Sequence, residues 1–244
     1  MLDRGDASRN AMVGVELASS KSSPRSTMHP QLDQRGFYLA VGKRLIDIVI
    51  SSFGLILFAP ILLIVGGLIK LSSPGPALFR QQRVGKNERL FWILKFRTMV
   101  EGAERTGGGI TPRNDPRVTP LGVFLRKWKL DELPQLWNVL KGEMSVVGPR
   151  PELPSYVAEY TSEQKAVLLV KPGITDPGSL RYRDEGRLLQ QNRDPQRLYR
   201  EKILPDKLAL NLQYLKDISF ARDLHLIVST IKSVIGLPDT SEFD

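Results

Sequence analysis

The sequence predicts an α+β, mostly helical protein held at a membrane, with a small domain that contains a short β-hairpin. Three observations carry this. From Leu45 to Ile69 the chain is almost continuously apolar, with Asp47 the lone charge, and roughly 20 apolar helical residues suffice to cross a bilayer. Two strand-like segments, Leu78 to Arg83 and Arg89 to Thr98, flank a Gly85-Lys86-Asn87 turn. Beyond them, helical segments with caps and early prolines follow one another to the C-terminus.

Residues 1–36 carry no sustained periodicity, and Ala18-Ser19-Ser20-Lys21-Ser22-Ser23-Pro24 is a low-complexity polar run. Too little apolar surface is present to offset the entropy of ordering, so the segment reads as a disordered N-terminal tail. It also sets the first apolar run too deep for a secretory signal peptide. Residues 37–71 hold the membrane helix. Lys43 and Arg44 precede the apolar run and Lys70 follows it. Asp47 is spaced to pair with Lys43 or Arg44 on one helix face. A buried core helix is the blander alternative, set back by the length and uniformity of the run. Pro60 falls near the middle. An interior proline removes a backbone bond and crowds the preceding turn, at about 3 kcal/mol unless the helix bends. One outcome is a kinked spanning helix; the other is a helix-break-helix hairpin that returns to the face it entered. Basic residues at both ends fit the second, and charge alone leaves the two even.

Residues 72–200 form the next unit. Ser72-Ser73-Pro74-Gly75-Pro76 breaks the helix. In the second strand Lys95 and Arg97 share one face, and Leu94 and Phe96 the other. Residues 101–116, with Gly107-Gly108-Gly109, read as a mobile loop. Thr119 caps a helix that starts at Pro120 and runs to about Trp128. A second helix begins at Asp131 and stops near Gly142. Gly148-Pro149-Arg150-Pro151 is a rigid turn, and a helical stretch from about Leu153 to Val170 ends at Pro172-Gly173. Residues 201–244 read as amphipathic, membrane-associated helix from about Pro205 to Ile235, with Leu215, Ile218, Leu224, Val228, Ile231 and Ile235 in its apolar stripe. Trp92, Trp128 and Trp137 suit packing or a membrane interface.

Composition excludes several chemistries. The chain has no cysteine and two histidines, His29 and His225, far apart in sequence. Disulfides, thiolate metal sites, histidine-based zinc sites and Ser-His-Asp triads therefore drop out. Lys and Arg number 35 against 26 Asp and Glu, a formal charge of +9. Nucleic acid is the usual partner of such a balance. The membrane segment sends this chain to a lipid surface instead, so no nucleic acid is expected.

Asp131-Glu132 is the pair most suited to chemistry. At a helix start the partial positive charge keeps carboxylates ionised and favours phosphate. Arg126 lies shortly before it, and Arg150 follows in the proline-locked turn. Guanidinium groups suit phosphate oxygens through paired hydrogen bonds. Two carboxylates among arginines make sense where a divalent cation and a diphosphate share one site. Taken singly, each of these residues also has an ordinary structural reading, as a cap or a solvated charge.

Several motifs resemble one family. They are Lys43-Arg44-Leu45-Ile46-Asp47 leading into the proline-containing run, Ser73-Pro74-Gly75-Pro76, Lys95-Phe96-Arg97-Thr98-Met99 and Asp115-Pro116-Arg117-Val118-Thr119. The most specific are Leu130-Asp131-Glu132-Leu133-Pro134-Gln135-Leu136, continuing to Gly142, and Val147-Gly148-Pro149-Arg150-Pro151. Together, over Lys43 to about Thr175, they are similar to the bacterial sugar transferases that prime glycan assembly, the monotopic phosphoglycosyl transferases. The resemblance implies transfer of a sugar 1-phosphate from a UDP-sugar to polyprenyl phosphate, usually undecaprenyl phosphate, with Mg2+. It implies Asp131 as nucleophile, forming an acyl phosphosugar and releasing UMP, and Glu132 as a group that binds the metal with Asp131. Arg126 and Arg150 would hold phosphates, with Lys95 and Arg97 adding to the basic cleft. The family's membrane element is a re-entrant helix broken at its proline, here Pro60. Both ends would then face the cytoplasm at the bacterial inner membrane, with the phospholipid surface as partner and downstream glycosyltransferases as further partners.

Two positions depart from the family pattern. Ala59 stands where serine often precedes the proline, so a hydroxyl able to satisfy a freed backbone group is missing. After Pro172-Gly173-Ile174-Thr175, residues 176–183 differ from the usual continuation, in a region that could shape a sugar pocket. A non-catalytic membrane-bound adaptor of a glycan pathway is the alternative reading; retention of Asp131, Glu132, Arg126 and Arg150 counts against it.

Overall fold

The computed structural model describes residues 38–103 and 109–237. The tail expected over 1–36 and the Gly107-Gly108 part of the expected loop lie outside them. Among the described residues one long helix, two small sheets and a series of shorter helices pack around one main core.

Helix α1 spans Lys43–Ser72 and follows a π-helical turn at Tyr38–Gly42. At 1.5 Å per residue it is roughly 45 Å long, and it is the one described helix long and apolar enough to cross a membrane. The two segments expected on either side of Pro60 form a single helix with the proline inside it. The backbone stays helical through the residue that lacks an N–H. Asp47, Ser51, Gly54, Val65 and Ile69 make the buried face. Val49, Phe53, Ile56, Leu57, Leu63, Ile64 and Leu71 make an exposed apolar face.

Both ends of α1 are fixed to the same body. At its start Arg44 donates to the carbonyls of Val139 and Leu140 at 2.6 and 2.7 Å, and Lys43 pairs with Asp223. The expected pairing of Asp47 with Lys43 or Arg44 is corrected. Asp47 Oδ1 accepts from Ser145 Oγ at 3.0 Å and from the Val146 N–H at 2.8 Å. The inward face of the helix meets one hydroxyl and one backbone donor there, and the two cations are taken by other partners. At the far end Val65 and Ile69 pack with Phe96 and Leu125. Asp47→Ala leaves the buried Val146 N–H and Ser145 hydroxyl unpaired. We expect a loss of about 2–3 kcal/mol, or roughly 4–10 °C in Tm. Thermal unfolding in detergent checks this, and a midpoint equal to the parent's contradicts it.

Strands β1 (Leu78–Val84) and β2 (Leu90–Phe96) pair antiparallel, Leu78 opposite Phe96 and Val84 opposite Leu90. Alternation in β2 buries Phe91 and Ile93 and exposes Leu90 and Trp92. Helix α2 (Pro120–Lys127) starts as expected: the Thr119 hydroxyl accepts from the Gly122 N–H at 3.0 Å, with proline in the first turn. Gly122 lets α2 cross the strand exit closely, since a Cβ there would sit 2.0 Å from the Thr98 carbonyl oxygen. Lys129 then adopts a left-handed conformation, φ 55°, and turns the chain into a 3-10 turn at Leu130–Glu132. Helix α3 covers Gln135–Lys141 and stops at Gly142, φ 87°. Asp131 therefore makes no cap; its side chain lies in the 3-10 turn ahead of the helix.

Strand β3 (Ser145–Val147) pairs parallel with β4 (Gly173–Thr175), a sheet too short to leave a pattern in the sequence. Between them the continuous helix expected over Leu153–Val170 is corrected to α4 (Pro154–Val157) and a 3-10 segment at Gln164–Leu169. Thr161 and Gln164 bond reciprocally: the Thr161 N–H donates to Gln164 Oε1, and the Gln164 N–H donates to Thr161 Oγ1. That capping box starts a new helical segment where one long helix was expected.

Helices α5 (Pro177–Arg181), α6 (Glu185–Gln190), α7 (Pro195–Leu198), α8 (Leu204–Lys216) and α9 (Phe220–Ile235) complete the fold. The expected tail helix is split at Asp217–Ser219, where Ser219 caps α9 through the Arg222 N–H. The expected lipid stripe divides with it. Leu215 and Ile218 are buried in the main core with Leu204, Leu208 and Tyr214. Phe220, Leu224, Val228, Ile231 and Ile235 remain as one exposed stripe along α9. Trp92, Trp128 and Trp137 are exposed as well.

Candidate active site

Four elements converge on Asp131 and Glu132. Strand β2 supplies Lys95, α2 supplies Arg126, the 3-10 turn supplies the carboxylates, and the turn after β3 supplies Arg150. Glu132 is the hub. Its Oε1 accepts from Lys95 Nζ at 2.8 Å and from Arg150 Nη2 at 2.5 Å. Its Oε2 has Arg150 Nη1 at 3.5 Å. Burial alone would raise the Glu132 carboxyl, but Arg150 and Lys95 outweigh it and hold the group well below the usual carboxylate range. Burial pushes Lys95 down to about 8 against the pull of Glu132. The Arg150 guanidinium is raised, chiefly by Glu132.

Arg150 is positioned by two glycines. Gly148 and Gly173 lie backbone to backbone, and a Cβ on Gly173 would fall 2.1 Å from the Gly148 nitrogen. The Gly173 N–H donates to the Pro149 carbonyl at 3.0 Å, which fixes the residue next to Arg150.

Asp131 is different in kind from its neighbour. It is 8 % exposed, and burial followed by repulsion from Glu132 raises its carboxyl above the ordinary value. Oδ1 is enclosed and has no hydrogen-bond partner. Oδ2 has none among the described residues either and is not enclosed, so it is the oxygen the cleft reaches. Arg126 Nε donates to Thr98 Oγ1 at 2.9 Å, and the side chain is part of the cleft lining.

Arg97, expected in the basic cleft, does line it, and it also holds the exit of α1. It is buried and donates to the Pro74 carbonyl, to the Ser73 carbonyl at 2.9 Å and to Ser73 Oγ at 2.8 Å. Charge and strand spacing placed it beside Lys95, but three acceptors from the Ser-Pro-Gly-Pro turn lie within its reach. The structure adds a cluster not singled out from sequence. Glu152 Oε1 accepts from the Tyr199 hydroxyl at 2.7 Å, and Arg83 Nη1 lies 3.5 Å from Glu152 Oε2. All three line the same cleft as Asp131. Arg83 ends the first expected strand and Glu152 follows the turn that ends at Pro151, but neither of them nor Tyr199 was marked as a site residue.

The cleft measures about 2440 Å³, well beyond the roughly 300–1,000 Å³ of a single small-molecule pocket. It has room for a large donor and a second substrate. Its cations, open carboxylate and size agree with the sequence motifs, and comparison with known proteins decides the family. A family model described as bacterial sugar transferase matches residues 38–236. The chain belongs to the bacterial sugar transferase family.

Relatives of this transferase carry informative names. One is the putative undecaprenyl-phosphate N-acetylgalactosaminyl 1-phosphate transferase of Bacillus subtilis, 43 % identical over 62 % of this chain and 82 % of that protein. Another is the UDP-glucose:undecaprenyl-phosphate glucose-1-phosphate transferase of Caulobacter vibrioides, 38 % identical over 79 % of this chain and 69 % of that protein. The exopolysaccharide production protein ExoY of Rhizobium meliloti is 33 % identical over 88 % of this chain and 96 % of its own length.

The transferase site also has to fit the magnesium that the family implies. Among the described residues no three His, Cys, Asp or Glu side chains gather as a metal cluster. Mg2+ commonly takes only one or two carboxylates and fills its shell with substrate phosphates and water. Asp131 Oδ2 has no hydrogen-bond donor among the described residues, and Glu132 Oε2 has only Arg150 Nη1, at 3.5 Å. The donor set fits an ion that arrives with a diphosphate.

Proposed function

We propose that this transferase moves a sugar 1-phosphate from a UDP-sugar to polyprenyl phosphate, in the form of undecaprenyl phosphate, at the cytoplasmic face of the bacterial inner membrane. The observation that carries the reading is the contrast inside the carboxylate pair. Glu132 is tied to Lys95 and Arg150, while Asp131 presents an unbonded oxygen to the cleft. The reaction has two displacements. Asp131 Oδ2 attacks the sugar-bearing phosphorus, a carboxylate–phosphorus bond forms, and UMP leaves with the electron pair of the broken P–O bond. An oxygen of the polyprenyl phosphate then attacks the same phosphorus, and Asp131 leaves as a carboxylate. The product is a sugar linked to the lipid through a diphosphate, ready for glycosyltransferases that extend a glycan such as an exopolysaccharide.

A carboxylate needs no base to act as a nucleophile at neutral pH. Its difficulty is repulsion from the diphosphate. Arg126, Arg150 and Lys95 counter it with fixed positive charge, which acts strongly in a site shielded from water. Bound Mg2+, held by Asp131 and Glu132, would supply further neutralisation of phosphate charge.

The membrane reading is monotopic. A helix whose two ends are held by one charged body does not carry them to opposite sides of a bilayer, which supports insertion from one face, the re-entrant form requiring the continuous α1 to bend at Pro60. The exposed faces of α1 and α9 and the exposed tryptophans supply apolar area for lipid contact. The test is incubation of the purified chain with a panel of UDP-sugars and undecaprenyl phosphate. One UDP-sugar is expected to yield UMP in step with a lipid-linked sugar diphosphate. Release of UDP, or no lipid product with any donor, contradicts the proposal.

A further inference from the structure

Gln135 lies four residues after Asp131, on the inward face that continues through Asn138 and Val139. It is completely buried, and neither Oε1 nor Nε2 has a hydrogen-bond partner. Its neighbour Asn138 shows the contrast. The Asn138 amide accepts from the Leu94 N–H at 3.0 Å and donates to the Trp92 carbonyl at 2.8 Å and to Glu143 at 2.7 Å. The buried face of α3 thus holds one amide with every role assigned and one with none.

The only other unpartnered enclosed atom on this turn and helix among the described residues is Asp131 Oδ1. Residues four apart on a helix have Cβ atoms about 5–6 Å apart, a separation that a glutamine side chain can bridge. An unsatisfied buried polar group is costly, and a native one calls for an explanation. Asp131 lies in the 3-10 turn and Gln135 opens α3 just after it, so a donor amide and an acceptor oxygen are both enclosed and unsatisfied within five residues of chain, with no hydrogen bond between them.

We propose that Gln135 is a positioning residue for Asp131: its Nε2–H donates to Oδ1, fixing the enclosed oxygen and leaving Oδ2 to the cleft. This rests on the covalent reading above and deepens it. The hydrogen bond from the amide to Oδ1 bears on both displacements. A donor holds an ionised carboxylate more strongly than the carbonyl oxygen of an acyl phosphate. Gln135 therefore favours the free carboxylate over the phosphosugar adduct. It assists the second displacement, in which Asp131 departs with its charge restored, and keeps the intermediate from accumulating.

Gln135→Met tests this, because methionine nearly preserves the volume and removes the amide. The full-length transferase in detergent is mixed with UDP-sugar labelled in the phosphate next to the sugar. Adduct, UMP–UDP-sugar exchange without acceptor, and transfer to undecaprenyl phosphate are followed separately. We expect the adduct-to-free ratio at fixed UMP to rise about ten- to a hundred-fold and the acceptor step to slow. An unchanged ratio overturns the inference, whether or not both half-reactions fall together. If the unaltered enzyme transfers sugar phosphate but gives neither adduct nor exchange, the covalent reading itself fails and the inference falls with it.

Discussion

Asp131→Asn abolishes sugar-phosphate transfer, by more than about 1,000-fold, while the protein melts no lower than the parent. The two halves of this expectation come from the same geometry. An amide at position 131 retains the shape of the carboxylate and loses the nucleophile. Asp131 is also a cost to the fold. It is buried next to a second carboxylate, and both burial and that like charge disfavour its ionised form. Removing that charge relieves the fold while it ends the reaction. UMP release and a thermal melt on the same preparation decide the matter. Activity within ten-fold of the parent contradicts the nucleophile assignment, and a melt several degrees lower contradicts the account of its environment.

Arg150→Ala is the second large effect, and it runs the other way on stability. Arg150 binds Glu132 with both Nη groups in range. Its loss leaves Glu132 with Lys95 alone. Breaking a fully buried pair costs about 3–5 kcal/mol. The Arg150 side chain is 27 % exposed and Lys95 remains, so about 2 kcal/mol, or roughly 4–8 °C in Tm, is the expected loss. Transfer falls by more than about 100-fold, because the guanidinium that Glu132 holds in the site, and to which the proposal gives a phosphate-binding role, has gone. Arg150→Lys separates the two roles. It restores charge and most of the stability but not the planar fork, so its kcat/KM stays well below the parent's. A lysine variant with full activity would show that charge alone is needed.

The strands, the Thr119-Pro120 start of α2, the Gly142 stop of α3 and the apolar helix were legible from the sequence, because local chemistry decides them. Asp131 and Glu132 were legible as a pair, with different roles implied by the family resemblance, but the difference in their surroundings was not legible. That difference comes from Lys95 and Arg150, which reach Glu132 from positions 37 residues before it and 18 residues after it. Tertiary contact also reassigned the charges around α1. Asp47 found backbone donors on β3 instead of its helix neighbours, and Arg97 found the carbonyls that end α1. The stripe expected in the tail was divided by core packing, with Leu215 and Ile218 turned inward and the Phe220–Ile235 face left outside. A sequence lists apolar residues at helical spacing; only the packed fold says which of two apolar surroundings each one meets.

The central claim is that a side chain of this protein carries the phosphosugar between the two substrates. Intact-mass and peptide mass spectrometry of the transferase, quenched in acid after exposure to its UDP-sugar without lipid acceptor, measures this directly. A mass increase of one sugar phosphate located on Asp131, lost on adding undecaprenyl phosphate, is the predicted result. An enzyme that turns over with both substrates, yet shows an unmodified Asp131 with donor alone and no exchange of UMP, would contradict it.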